Sequence, residues 1–153
     1  MSHNGIVEML VQTLYEEGNN DSYLRQNALG ALQKFSLRKQ AQSSMIDNGV
    51  IRWIVQILSA NTESLSDYSM EYATALLMNL SLRGKGKDEC EQLAPEISII
   101  KVLNDMMEHE NFQVRTHING TLYSILERQS LKQQANEIGL VHILNYLMQS
   151  QDE

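Results

Sequence analysis

Proline is nearly absent: one residue in 153, so almost nothing interrupts a helix once it has started. There is a single cysteine, Cys90, which excludes an internal disulfide and a thiolate metal cage and suggests a reducing, intracellular home. Nothing approaches the ~18 consecutive apolar residues of a membrane span, and Met1 to Leu10 lack the basic flank of a secretory leader. A soluble chain without membrane insertion is expected. Positive charge is scarce: 12 basic against 19 acidic side chains give a net charge of −7, which repels a polyphosphate and argues against a nucleic-acid partner. Aromatics amount to 6%. What is abundant is Leu, Ile, Met, Gln and Glu, a composition that favours helices and gives strands little. The length fits one all-helical domain with one core.

Apolar residues recur at three- and four-residue steps in Leu24, Ala28, Ala31, Leu32 and Phe35, again in Tyr72, Ala73, Leu76, Leu77 and Leu80, and again in Ile118, Leu122, Ile125 and Leu126. Gly18-Asn19-Asn20, Gly84 with Gly86, and the stretch from Asn61 to Ser66 read as stops between helices, not as domain linkers.

These stripes repeat at a fixed interval. ALGALQKFSLR, ATALLMNLSLR and INGTLYSILER start at Ala28, Ala73 and Ile118, 45 residues apart each time. A second set reads GIVEMLVQTL from Gly5, GVIRWIVQIL from Gly49, SIIKVLNDMM from Ser98 and GLVHILNYLM from Gly139, and a third, shorter set reads QAQSSMIDN, ECEQLAP and LKQQANEI. Each unit thus holds three helices that cannot bury their apolar faces alone, so neighbouring units must stack into a solenoid with a continuous core. The pattern resembles the armadillo repeat, in which a glycine opens the second helix, as Gly49 and Gly139 do, and whose third helix is matched best by Ala73 to Leu80. HEAT repeats share the period but usually have two helices. The expected architecture is an all-α, right-handed armadillo-type solenoid: a partial repeat over 1–38, full repeats over 39–83 and 84–128, and a partial repeat over 129–153. With Ile6, Met9, Leu10 and Leu14 on a first helix lacking its preceding neighbour, the ends read as uncapped. This suggests a segment of a longer protein or a surface for self-association.

A narrower resemblance rests on NALGALQKFSLR, LSDYSMEYATALLMNLSLRGKGK and ENFQVRTHINGTLYSIL, in order from about Asn27 to Leu126. These strings are similar to the armadillo region of the LisH domain-containing armadillo repeat protein nine family. That resemblance implies a scaffold of cilium, basal body and centriole, acting with other ciliary or microtubule-associated proteins. The family's LisH dimerisation motif and disordered tail have no counterpart in this sequence, and nothing resting on them is carried over.

Peptide-binding armadillo grooves of the nuclear-import and catenin type use an asparagine near the end of the third helix and a tryptophan one turn earlier. This chain has Lys34, Asn79 and Ser124 at the first place and Gly30, Ala75 and Gly120 at the second, so the ladder is largely missing. Asn79 is either one remaining rung or a structural amide. The small residues imply close approach of a neighbouring helix or of a partner. Charge is segregated: Arg38, Lys39, Arg83, Lys85, Lys87, Arg128 and Lys132 fall where third helices end, while Glu16, Glu17, Asp21, Glu63, Asp67, Glu108 and Glu110 fall at the opposite turns. Helix dipoles alone can explain this, cations at C-termini and anions at N-termini. Alternatively, Arg38, Arg83 and Arg128, 45 residues apart, form a row that docks acidic segments of a partner. The candidate partner-binding residues are therefore Lys34, Arg38, Asn79, Arg83, Lys85, Lys87 and Arg128. The RGKGK run sits in a unit four residues longer than its counterparts, and the extra residues are expected there, in a solvated loop after a glycine-ended helix. It is no phosphate-binding loop, since Lys87 is followed by Asp88.

Enzyme signals are weak. His3, His109, His117 and His142 form no HExxH, no nucleophile turn is present, and Cys90 lies among Asp88, Glu89 and Glu91, whose charges raise a thiol pKa. Trp53 and Tyr72 read as core. A non-catalytic protein-interaction scaffold without cofactor or metal is expected, against the alternative of an import-type adaptor for basic peptides.

Overall fold

The structure, a computed structural model, describes residues 3–17, 22–60, 62 and 65–140, the side chains of His3 and Asn4 excepted. Within them the chain forms α1 (His3–Glu17), α2 (Tyr23–Phe35), α3 (Lys39–Asp47), α4 (Val50–Ala60), α5 (Asp67–Ser81), α6 (Gly84–Gln92), α7 (Ile99–Asp105), α8 (Phe112–Ile125) and α9 (Gln129–Glu137), with no strand among the described residues. The short helices α3, α6 and α9 start at 39, 84 and 129, the same 45-residue spacing as the third-helix strings.

The long helices α2, α5 and α8 lie side by side, and α1, α4 and α7 back them. Buried side chains join without a break: Val7, Val11 and Leu14 of α1, Leu29 and Leu32 of α2, Ile54 and Leu58 of α4, Leu76 and Leu80 of α5, Leu103 of α7, Ile118 and Leu122 of α8, and Leu131 of α9 belong to one cluster. Helix α5 is buried nearly all round because α2 and α8 flank it, so Met70, Ala73, Leu76, Leu77 and Leu80 vanish from solvent on several faces. Small residues set the spacing. A Cβ at Gly30 would sit 3.3 Å from the Tyr72 ring, and one at Gly120 would sit 2.7 Å from Met78 Sδ. The close approach at Gly30 and Gly120 is thus made by a neighbouring helix, and Trp53 and Tyr72 pack half-buried against the core. On α1, Leu14 is buried while Met9 is exposed.

Helix ends follow local chemistry. Ser22, Ser66 and Ser98 accept from backbone N–H groups of Arg25, Ser69 and Lys101, and Asn111 Oδ1 accepts from Gln113 and Val114. Gly49 and Gly139 have φ of +81° and +76°, the left-handed turn that carries α3 into α4 and ends α9. Between α6 and α7 that glycine is missing, and Leu93–Ser98 replaces the two-residue turn. This corrects the expectation for the RGKGK run. Gly84, Lys85, Gly86 and Lys87 form the first turn of α6 itself, and the four extra residues fall around Pro95. Gly86 is there for space, since an added Cβ would lie 1.9 Å from the Leu80 carbonyl oxygen of α5. The stops expected at 18–20 and at 61, 63 and 64, with Asp21 and Glu63, lie outside the described residues, as do His142 and the helix expected after Gly139.

Candidate functional site

The surface built by α2 and α5 contains an open cleft of about 440 Å³ lined by Asn27, Gly30, Ala31, Lys34, Phe35, Arg38 and Tyr72. It exists because Gly30 has no side chain, so the Tyr72 ring of α5 lies against the α2 backbone as a floor. Lys34 in the last turn of α2 and Arg38 just beyond it are exposed at its basic end.

The candidate residues meet different fates. Asn79 is buried, and its Nδ2 donates to Ser36 Oγ at 2.9 Å. The Ser36 carbonyl accepts from Gln42 Nε2 at 2.5 Å, so three side chains tie α2, α3 and α5 together. Asn79 is therefore a structural amide between helices and not a rung of a peptide-binding ladder. Lys85 pairs with Asp47 of α3 at 2.6 Å, and Lys87 with Glu127 at 2.7 Å. Arg128 pairs with Asp88 at 2.6 Å and Glu91 at 2.9 Å and donates to the Gly84 carbonyl at 3.2 Å. Asp88 pulls the Arg128 pKa up further, and hydrogen bonding to Lys87 pulls Glu127 below the ordinary carboxylate value.

The three arginines share one structural place, but their side chains are not an equivalent row. Arg38, Arg83 and Arg128 are the N-cap residues of α3, α6 and α9, extended and without a capping side-chain bond. Each also follows the C-terminal turn of the preceding helix, to whose last carbonyls its N–H bonds, so the two helix dipoles act on it in opposite senses. Arg128 is held by α6, whose Asp88 and Glu91 have Ser43 and Ile46 as their counterparts 45 residues earlier, facing the place of Arg83. Arg83 is half-buried and, among the described residues, its guanidinium makes no ion pair; Arg38 is exposed.

Two further titratable groups, Cys90 and His117, lie within the helical stack. Cys90 is more buried than its polar neighbours suggested, and burial first, then Glu89 and Glu91, push its thiol up to about 12. His117 Nδ1 lies 3.0 Å from Thr74 Oγ1 between α8 and α5, and burial lowers its pKa against the opposing charge of Glu71. No group of three metal-ligating side chains occurs among the described residues, and no described helix is long and apolar enough to cross a membrane.

Sequence reasoning missed one feature. Tyr23, Tyr68 and Phe112, in the first turns of α2, α5 and α8, are 82%, 63% and 67% exposed. The signal was present, because Tyr23 and Tyr68 are 45 residues apart and out of phase with the core stripe.

Comparison with known proteins agrees with this architecture. Residues 45–153 match the family model described as the ARM repeats of LisH domain-containing protein ARMC9. The chain is 45% identical over 139 residues to LisH domain-containing protein ARMC9 of Bos taurus, covering 91% of this chain and 20% of that protein. Against the Homo sapiens protein of that name the figures are 45% over 139 residues, 91% and 16%, and against that of Xenopus tropicalis 42% over 141 residues, 92% and 17%. The chain thus spans a fifth or less of the length of these relatives. With stacked helices, repeat-spaced third helices and the family match over most of its length, this chain belongs to the ARMC9 family, within its armadillo-repeat region.

Proposed function

We propose that this chain is a non-catalytic scaffold that binds other proteins, and that it serves the cilium, basal body or centriole in cilium assembly or in regulation of axonemal microtubules. The observation that carries the binding mode is the cleft floored by Tyr72 with Lys34 and Arg38 at one end, continued along the stack by Arg83. A partner's acidic segment suits it: carboxylates pair with guanidinium through two parallel hydrogen bonds while the aliphatic part of the segment packs on the ring. In this reading the units are right-handed armadillo repeats of about 45 residues divided before 39, 84 and 129. Arg128, Lys85 and Lys87 frame the edge while bonded to this chain's own carboxylates, and grip less. The alternative, an import-type adaptor for basic peptides, has less support because Asn79 is engaged with Ser36.

The test is fluorescence anisotropy of a glutamate-rich peptide on the whole chain, with Lys34, Arg38 and Arg83 changed to glutamate together. Binding should fall at least tenfold with melting unchanged, and a tagged chain should concentrate at basal bodies of ciliated cells. Equal affinity of the parent and the triple variant would refute the acidic-segment reading; a diffuse tagged chain would refute the ciliary one.

A further inference from the structure

The opposite ends of α2, α5 and α8 carry a surface of different chemistry. Tyr23 and Tyr68 occupy the same place one repeat apart, and Phe112 sits one residue earlier in the third. A bond that recurs at this edge fixes their alignment. Ser66 Oγ, capping α5, donates to Gln26 Oε1 of α2 at 3.1 Å, and Asn111 Nδ2, capping α8, donates to Glu71 Oε1 of α5 at 2.9 Å. Both members of the second pair lie 45 residues after those of the first. Neighbouring packed helices lie roughly 8–10 Å apart, so successive rings are about one such step apart. A chain in the polyproline II form advances ~3.1 Å per residue with three residues per turn, so it brings every third side chain to the same side at about this spacing.

The charge around the rings is negative. Among the described residues, Glu16, Asp67, Glu108 and Glu110 are exposed, and Glu17 and Glu71 half-buried, against Arg115 and the buried Arg25 two residues from Tyr23. The helix N-termini contribute about half a positive charge each, which does not reverse the sign. Arg115 also shows what these rings accept: its guanidinium carbon lies 5.6 Å from the centre of the Phe112 ring while Nη1 donates to the His109 and Glu110 carbonyls. Exposed rings set among carboxylates match planar cations, which stack on the ring face and bond the acids at the rim.

We propose that this acidic, aromatic edge docks an arginine-rich segment of a partner protein, in polyproline II form, with an arginine at every third position. It is a second surface, at the far ends of α2, α5 and α8 from the Lys34 and Arg38 end. The rings of Tyr23 and Tyr68 contribute more than that of Phe112, one face of which Arg115 covers.

The experiment titrates the whole chain with a synthetic peptide carrying arginine at every third residue among glycines and serines, with lysine and glutamate versions as comparison. The arginine peptide should bind most tightly, the lysine peptide more weakly at equal charge, and the glutamate peptide should not compete. Changing Tyr23, Tyr68 and Phe112 to serine should weaken arginine-peptide binding on the order of tenfold or more, since each exposed ring contributes a factor of a few. Tyr23→Ser and Tyr68→Ser singly should each give part of that loss, so the idea stays testable even where the triple variant folds poorly. The glutamate variant of Lys34, Arg38 and Arg83 should leave it intact, which separates this surface from the first. No binding of the arginine peptide overturns the proposal. So does equal binding by parent and ring variants alongside loss in the Asp67→Asn, Glu108→Gln, Glu110→Gln variant, which would mean attraction to net negative charge alone.

Discussion

Where α2 turns into α3 and meets α5, the polar groups between repeats are uncharged and hidden: Asn79 donates to Ser36 Oγ, and Gln42 donates to the Ser36 carbonyl. One repeat later the corresponding positions hold Ser124, Ser81 and Lys87, and the joint is closed by charge, through Lys87 with Glu127 and Arg128 with Asp88 and Glu91. The same helices in the same order are thus fastened in two ways. The first joint depends on desolvated hydrogen bonds that fail badly when one partner is removed. The second depends on partly exposed ion pairs that salt screens.

The most damaging single change should fall at the second joint but through packing. Gly86→Ala would drive a Cβ to 1.9 Å from the Leu80 carbonyl, and neither helix backbone can yield without disturbing Cys90 and Leu93 behind it. A loss of about 3 kcal/mol is expected in urea unfolding. The counterparts Ala41 and Leu131 carry side chains at that place, so a Gly86→Ala protein as stable as the parent would show that α5 and α6 are free to part as those helices do.

Next in size, Asn79→Ala leaves Ser36 without its buried amide and should cost about 2 kcal/mol at any ionic strength. Arg128→Ala should cost less, and its cost should shrink from low salt to 1 M salt as screening shortens from roughly 10 to 3 Å. Melting of both variants across that range checks it: parallel salt responses would erase the distinction between the joints.

Much of this organisation was legible in the sequence. Strict 45-residue spacing placed three third helices in register, because stacking units must repeat their apolar positions to share a core. The positive-φ glycines were legible for a local reason, since only glycine adopts that turn cheaply. Gly84 and Gly86 misled for the converse reason: glycine marks a breaker in one dimension, but Gly86 serves a contact with Leu80 of another helix, which spacing cannot reveal. The lone proline, Pro95, was the better sign of the irregular turn. The fate of the candidate residues was hidden because it depends on neighbours about 40 residues away: Arg128 and Lys87 look available until Asp88, Glu91 and Glu127 are in place.

The smallest expected effect concerns acid. The network of Asn79, Ser36 and Gln42 contains no titratable side chain, so its own contribution should be indifferent to pH. The contact of α5 with α8 includes His117, whose pKa burial lowers from 6.5 although Glu71 opposes. The unfolded chain therefore takes up a proton before the folded one does. The neutral imidazole's contribution is fully present above about 6.5 and is lost as pH falls through the lower folded value. Glu127, held below the ordinary 4.5 by Lys87, follows the same sign in a more acidic window: present above 4.5, lost as pH drops through its folded value. Urea unfolding between pH 7.5 and 5 should show stability declining in the parent and in Asn79→Ala alike, and a flatter profile in His117→Asn. An unchanged slope in His117→Asn would move the acid sensitivity away from the α5 and α8 contact, and a flattened slope in Asn79→Ala would show that the two joints respond as one.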